Sequence, residues 1–267
     1  MINSNNHCVL ILLMLCFSCS TNDDRNKSVE IIEIEAEEKV DVNGMVLLRA
    51  PMCEHELEII THHSYSLAYS ELDEQAAWVQ YKLFRSNLEL PQVKRKNKFK
   101  TDQQVATNSA TLKDYSKSGY DRGHLAPCAD FTYSETCMLE SFYMSNMSPQ
   151  VPSFNRGKWK SLESKVRLYA TKYDSLLVIT GPVLFPEEPK IFIGDGVTVP
   201  EYYYKIIVEL STYKAVAYLM PNEKIKDDIS NYIVSINTVE EITHIDFLYD
   251  DSMCVPCDIE EEINMTF

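Results

Sequence analysis

The chain has 267 residues, 45% of them hydrophobic, which suffices for an ordinary core in one large domain or two small ones. It holds no uninterrupted run of about 20 apolar residues, so a helical membrane-spanning architecture is excluded. The formal net charge of −15 argues at first against nucleic acid as a partner, but the distribution of charge does not. Residues 94–172 carry 14 lysines and arginines against 7 acidic residues, while acid collects in residues 30–41 and 250–262. Local charge decides what a site attracts, because salt screens charges beyond about 10 Å. The two terminal acidic runs read as solvated surface.

Residues 1–18 read as a signal peptide of the lipoprotein type. The apolar run at 9–17 is too short to cross a bilayer and ends in Ser18-Cys19, which resembles a bacterial lipoprotein cleavage site with Cys19 lipidated. The run is preceded by His7 without lysine or arginine, and Cys16 stands where leucine is usual. Asp23 and Asp24 resemble the acidic signal that directs some lipoproteins to the cell surface. The expected location is therefore the outer membrane or cell surface, with a lipid anchor at Cys19 as the membrane contact. A periplasmic or secreted protein cleaved near the same place is the alternative. Residues 19–45 read as an acidic tether and 46–267 as the domain.

Of the 8 cysteines, Cys53, Cys128, Cys137, Cys254 and Cys257 remain outside the leader segment. An oxidising compartment predicts one or two disulfides among them, and Cys128 and Cys137 are close enough in sequence to pair. Cys254 and Cys257 read as a structural bridge, since no thioredoxin-like pattern surrounds them.

Along the chain, residues 29–34 alternate weakly and predict a strand. Residues 57–60 and 65–69 predict paired strands, and 76–84 a third, rich in aromatics. The basic run 94–100 predicts a loop and 136–144 a helix with Met138 and Phe142 on its apolar side. Pro149 and Pro152 make 145–154 a predicted loop. Residues 155–170 predict a strong helix and 176–180 a buried strand. Residues 202–210 and 214–219 predict two strands joined by a short turn, 226–237 a helix, and 239–247 a helical start. Strands with interspersed helices and little βαβ alternation define an α+β domain built on a central antiparallel sheet flanked by helices. His55, His62 and His63 read as surface or core positions. Tyr65, Tyr69, Tyr81, Tyr202, Tyr203 and Tyr204 are able to stack bases, but as strand residues they read as core.

The chemistry concentrates in two blocks. Tyr120-Asp121-Arg122-Gly123-His124 places a histidine, which titrates near neutrality when unperturbed, beside an arginine able to grip phosphate oxygens. Asn155, Trp159 and Glu163 follow at four-residue steps, which on an ideal helix keeps them on adjoining parts of one face. Asn155 offers a neutral oxygen to a hard cation such as Mg²⁺, which retains water and takes few protein ligands. Glu163 can orient water in the second shell, and Arg167 follows one turn later for an ion pair or phosphate. Taken singly, these residues read as an N-cap asparagine, a core tryptophan and a surface Glu–Arg pair. Together they supply a base, a cation, a metal ligand and a carboxylate, the set needed for metal-assisted phosphodiester cleavage.

These blocks resemble the sugar-non-specific DNA/RNA endonuclease family. The match lies in Asp121-Arg122-Gly123-His124-Leu125-Ala126-Pro127, in Ser145-Asn146-Met147-Ser148-Pro149-Gln150, and in Asn155, Trp159 and Leu162-Glu163. Ala77-Trp78-Val79-Gln80-Tyr81 and Thr180-Gly181-Pro182-Val183 add further landmarks. The resemblance implies a ββα-metal catalytic motif, His124 as general base and Asn155 as the single direct protein ligand of Mg²⁺, with Mn²⁺ a substitute. It implies Glu163 as the carboxylate holding water of the metal's shell, and Arg122 and Arg167 on phosphate. Asn146 supports the site and Asp121 is structural. Arg95, Lys96 and Lys98 compete for one further family position, upstream of Phe99-Lys100-Thr101-Asp102. His244 stands where the family usually has glycine. The expected activity is endonucleolytic hydrolysis of DNA, RNA or both with little sequence preference, leaving 5′-phosphates. The alternative is a non-catalytic surface lipoprotein that binds nucleic acid or another anionic polymer.

Overall fold

The computed structural model describes residues 52–53, 56–184 and 190–248. The leader, the tether, the strand expected at 29–34, His55, Cys254 and Cys257 lie outside the described residues. The strands are β1 (Met52–Cys53), β2 (Glu58–Thr61), β3 (Ser66–Ser70), β4 (Gln75–Phe84), β5 (Asp121–His124), β6 (Met147–Gln150) and β7 (Ser175–Pro182). They continue as β8 (Ile191–Ile193), β9 (Val197–Val199), β10 (Tyr202–Glu209), β11 (Ala215–Pro221), β12 (Ile233–Val234) and β13 (Ile245–Asp246). The helices are α1 (Arg85–Glu89), α2 (Leu112–Tyr115), α3 (Glu135–Glu140), α4 (Pro152–Phe154), α5 (Lys160–Tyr173) and α6 (Ile236–Thr243).

Seven strands form one antiparallel sheet in the order β12-β11-β10-β7-β4-β3-β2. The fold is α+β, as the sequence predicts. Strand side chains alternate between two layers. Val79, Tyr81 and Leu83 of β4 pack with Leu162 and Val166 of α5, whereas Trp78 joins Ile206 and Val239 on the opposite face. The sheet is thus buried on both sides, which explains why its central strands read as nearly continuous apolar runs. Of the six tyrosines expected on strands, five are core residues, Tyr65 just before β3, while Tyr202 is 41% exposed.

A separate two-stranded ribbon, β5 against β6, carries the Asp-Arg-Gly-His segment. The loop expected at 145–154 is therefore partly strand. Pro149 opposes Arg122 there, and its carbonyl turns outward to accept bonds from the Tyr203 hydroxyl at 2.9 Å and the Asn222 amide at 3.0 Å. In a ribbon with no third strand, the missing proline N–H costs little. Gly123 is required here, because an added Cβ would lie 2.1 Å from Cδ of Gln150.

The helix expected at 155–170 is present but broken. Asn155–Trp159 winds more widely than an α-helix, and Gly157 leaves helical geometry at φ −102° and ψ −116° before α5 begins. Four-residue spacing on an ideal helix therefore does not carry through Gly157, and Asn155 is turned relative to Glu163. Such widened turns recur at functional sites. The predicted helix at 226–237 is replaced by a 3₁₀ turn at Ile229–Tyr232, then β12, then α6. Ser235 starts α6 by accepting a hydrogen bond from the Thr238 amide at 3.2 Å, a capping signal that sets the boundary.

Cys128 and Cys137 are free, buried thiols, so the expected bridge between them does not form. Nearness in sequence fails because the two side chains enter different clusters. Cys128 packs with Met138 and Phe142, and Cys137 with the main core. Among the histidines, His62 is core: its Nε2 meets Asp102 at 2.9 Å and its ring stacks on Tyr143. His63 is exposed and bonded to Glu140.

His244 closes α6 in the left-handed region at φ +55°, donating its amide to the Glu240 carbonyl. The resemblance implies glycine at this position, and a left-handed backbone disfavours a Cβ there. His244→Gly is expected to stabilise the fold by about 0.5–1 kcal/mol, net of glycine's greater freedom when unfolded. Urea unfolding of the two proteins measures it, and a destabilised glycine variant would refute the strain.

Candidate active site

The ribbon β5–β6 feeds, through α4 and the widened turn, into α5, so the two sequence blocks meet as strand, strand and helix. On β5, Arg122 and His124 alternate onto one side, and Asp121 and Gly123 onto the other.

His124 is set among aromatic rings. Phe142 meets it edge-on with centroids 4.8 Å apart, and Phe99 lies at 5.8 Å. Those same rings carry two guanidinium groups: Arg122 stands 4.5 Å from the Phe99 centroid and Arg95 5.2 Å from that of Phe142. Cation–π attraction of about 0.5–2 kcal/mol holds each arginine. Arg95 also donates Nε to Asn97 Oδ1 at 2.8 Å, whereas Nε of Arg122 has no partner. His124 keeps some exposed surface, yet its Nε2 is covered and bonded to nothing, as is Nε of Arg122. Burial, with Arg95 and Arg122 adding to it, lowers the imidazole pKa to about 3, so the ring is neutral at physiological pH and available as a base.

Of Arg95, Lys96 and Lys98, Arg95 is the one whose charge acts on both His124 and Glu163. Lys96 is engaged by Glu135 on the surface.

Asn155 donates its amide Nδ2 to Asp121 at 2.9 Å, and this fixes which way the amide points. Its Oδ1 is left as the available ligand atom. Asp121 is itself held from the other side by Arg156, through bonds of 2.8 and 2.5 Å. Asp121 therefore orients Asn155, in keeping with its structural reading, and Arg156 is a participant the sequence did not single out.

Asn146 is 0% exposed, and its amide is fully used. It accepts from the Ala126 amide and donates to the carbonyls of Ala126 and Ser141, all at 2.9 Å. It braces the chain just beyond His124 and does not itself reach a substrate.

Arg167 does not pair with Glu163. It donates from Nη1 to Asp130 at 2.7 Å and from Nη2 to Ser164 at 3.1 Å. Asp130 also accepts from the Tyr81 hydroxyl at 2.7 Å. Burial raises the Asp130 pKa while Arg167 and Tyr81 lower it, and the permanent charge of Arg167 decides for the ion pair. Burial likewise raises the Glu163 carboxyl, against an opposing pull from Lys205. Asp130 carries no motif signal of its own, whereas Phe99 opens the Phe99-Lys100-Thr101-Asp102 pattern and Phe142 is predicted on the apolar side of a helix.

Among the described residues no group of three or more His, Cys, Asp or Glu side chains is arranged to hold a metal. The donor set fits a hard cation of another kind, one held mainly by water and substrate with a single amide oxygen. Two buried polar atoms of β5 are without protein partners, His124 Nε2 and Arg122 Nε.

Known proteins resemble this chain in sequence and in fold. The family description "DNA/RNA non-specific endonuclease" matches residues 52–251. A mitochondrial nuclease of Saccharomyces cerevisiae is 31% identical over 233 residues, covering 78% of this chain and 70% of that protein. A nuclease of Nostoc sp. is 30% identical over 220 residues, covering 77% and 78%. The human mitochondrial endonuclease G is 31% identical over 211 residues, covering 72% and 69%. A crystal structure of EndoG in complex with EndoGI superposes with a TM-score of 0.67 at 32% identity, covering 71% of this chain and 85% of that one. Fold, site and relatives together define a nuclease. The chain belongs to the DNA/RNA non-specific endonuclease family.

The neutrality of His124 has a direct readout. Its ring proton resonance is expected to show no titration step between pH 8 and pH 5, because the folded-state value lies far below the ordinary one. Arg95→Ala, which removes one repelling charge, is expected to move the midpoint upward. A wild-type midpoint near 6.5 would overturn the assignment.

Proposed function

We propose that this nuclease is a Mg²⁺-dependent endonuclease that hydrolyses DNA, RNA or both with little sequence preference and leaves 5′-phosphates. The observation that carries the reading is the neutral, partly exposed imidazole of His124 beside Arg95 and Arg122. A neutral base beside two fixed cations suits attack of water on a phosphodiester.

In this reading Arg122 and Arg95 bind the phosphate from the aromatic floor. Arg167 presents its remaining donors to the same charge. A phosphate seated there offsets the repulsion that depresses His124 and lifts its basicity toward the useful range. The exposed edge of the His124 ring then removes a proton from the attacking water, whose oxygen bonds to phosphorus as the bond to the 3′ oxygen breaks. Glu163 accepts hydrogen bonds from ordered water beside the phosphate and fixes its direction. Asn155, aimed by Asp121, offers Oδ1 to Mg²⁺, which when bound neutralises charge on the phosphate and on the departing oxygen. Mn²⁺ suits the same neutral oxygen ligand. Because these groups address the phosphate and not the bases, they carry no sequence information.

EDTA is expected to abolish plasmid cleavage, and His124→Ala to lower kcat by about 10²- to 10⁴-fold, the usual contribution of a general base. End-labelling is expected to find 5′-phosphates. Full activity in EDTA or in the alanine variant would sink the mechanism. Salt-sensitive DNA binding without cleavage would instead favour a non-catalytic binder.

The proposed location is outside the cytoplasm, with the tether at 19–45 joining a lipid on Cys19 to the domain at 46–267. The short apolar run ending at Ser18-Cys19 supports it. Cells expressing the full chain are expected to incorporate labelled palmitate into it, and Cys19→Ala is expected to abolish the label. Equal labelling of both proteins would exclude the anchor.

A further inference from the structure

Strand β10 contains one residue that its surroundings do not explain. Tyr203, Lys205 and Ile207 alternate onto the face of the sheet that packs against α5 and the turn before it. The tyrosine and the isoleucine join the main core. Lys205 sits among them at 1% exposure, and its Nζ makes no hydrogen bond. The Nζ stands 4.8 Å from the centroid of Trp159, itself fully buried. Glu163 lies one helical turn beyond Trp159 on the same side. Of the charges acting on Lys205, Glu163 is the strongest attraction and Asp130 the next, with Arg167 opposing. Asp130 is already taken up by Arg167 and Tyr81. Lys205 thus acts on both carboxylates, on Glu163 more strongly, without a hydrogen bond to either.

A buried ammonium without a hydrogen bond is a cost to folding, and a methionine of similar length would fill the space without it. A core position that keeps such a charge needs a reason outside stability. We propose that Lys205 is a positioning residue for catalysis: its buried ammonium, seated on Trp159, holds the carboxylate of Glu163 in place. The inference rests on the endonuclease reading above and extends it to a residue on the sheet.

The test uses the full chain with Mg²⁺ and plasmid DNA. Lys205→Met and Lys205→Gln are each made alone and combined with Glu163→Gln. Removing the charge is expected to lower kcat by about 10- to 100-fold, the scale for partners that orient a site from behind. KM for DNA is expected to hold, and the melting temperature to stay at or above that of the wild type. Added to Glu163→Gln, either substitution is expected to cost no further activity, because both act through one carboxylate.

Wild-type kcat in the single variants, a loss confined to KM, or a full multiplicative loss on the Glu163→Gln background would overturn the proposal. So would melting temperatures that fall in both variants in step with activity, since a purely structural cation predicts that. A wild-type protein that does not cleave at all would refute the endonuclease reading itself, a result distinct from any difference among the variants.

Discussion

The ion pair between Asp130 and Arg167 joins three parts of the molecule. Tyr81 brings the central strand β4 to it, Asp130 comes from the turn just past His124, and Arg167 belongs to α5. Inside a protein such a pair is a weak source of net stability, because desolvation offsets most of the attraction. Breaking it from one side is another matter and costs about 3–5 kcal/mol, since the surviving charge stays buried. The pair therefore works as a register. It allows one alignment of helix, hairpin exit and sheet, and the distances among His124, Asn155 and Glu163 follow from that alignment.

Around this junction the site is divided between groups left available and groups fully committed. Asn146, Asp121 and Asp130 have their polar atoms occupied by the chain. The His124 ring, the donors of Arg122 and the oxygen of Asn155 do not. Aromatic rings help keep the second set available, since Phe99 and Phe142 support two arginines through their π faces. Carboxylates in those places would have anchored the arginines equally well and cancelled the charge that phosphate must meet.

How much of this was legible in the sequence depends on the range of the interaction. Strand β4 and the buried strand β7 announced themselves through apolar runs, and the family blocks located His124, Asn155 and Glu163. Pro149 misled, because proline excludes a central strand but tolerates a two-stranded ribbon. The helix after Asn155 was visible, while its break at Gly157 was not, since a lone glycine is compatible with either geometry. The expected bridge between Cys128 and Cys137 failed because short separation says nothing about side-chain direction. Arg156, Asp130 and Lys205 were illegible for a common reason: each acquires its role only from a neighbour distant in sequence. Lys205 left one faint trace, a lysine inside an otherwise apolar strand that is buried on both faces.

The pairing of β4 with β7 has a consequence for the birth of the protein. Strand β4 ends at Phe84 and β7 begins at Ser175, and β5, β6 and α5 all lie between them. His124, Asn155, Glu163 and Arg167 are thus synthesised before the strand that closes the sheet, and β10 emerges later still. Non-local strand pairing forms slowly and only once both partners exist. A nascent chain that has reached α5 already contains the histidine, the asparagine and the glutamate, but it has no completed sheet on which to align them. Chain order thereby acts as a timer, withholding a competent cleft until translation of the domain is nearly finished.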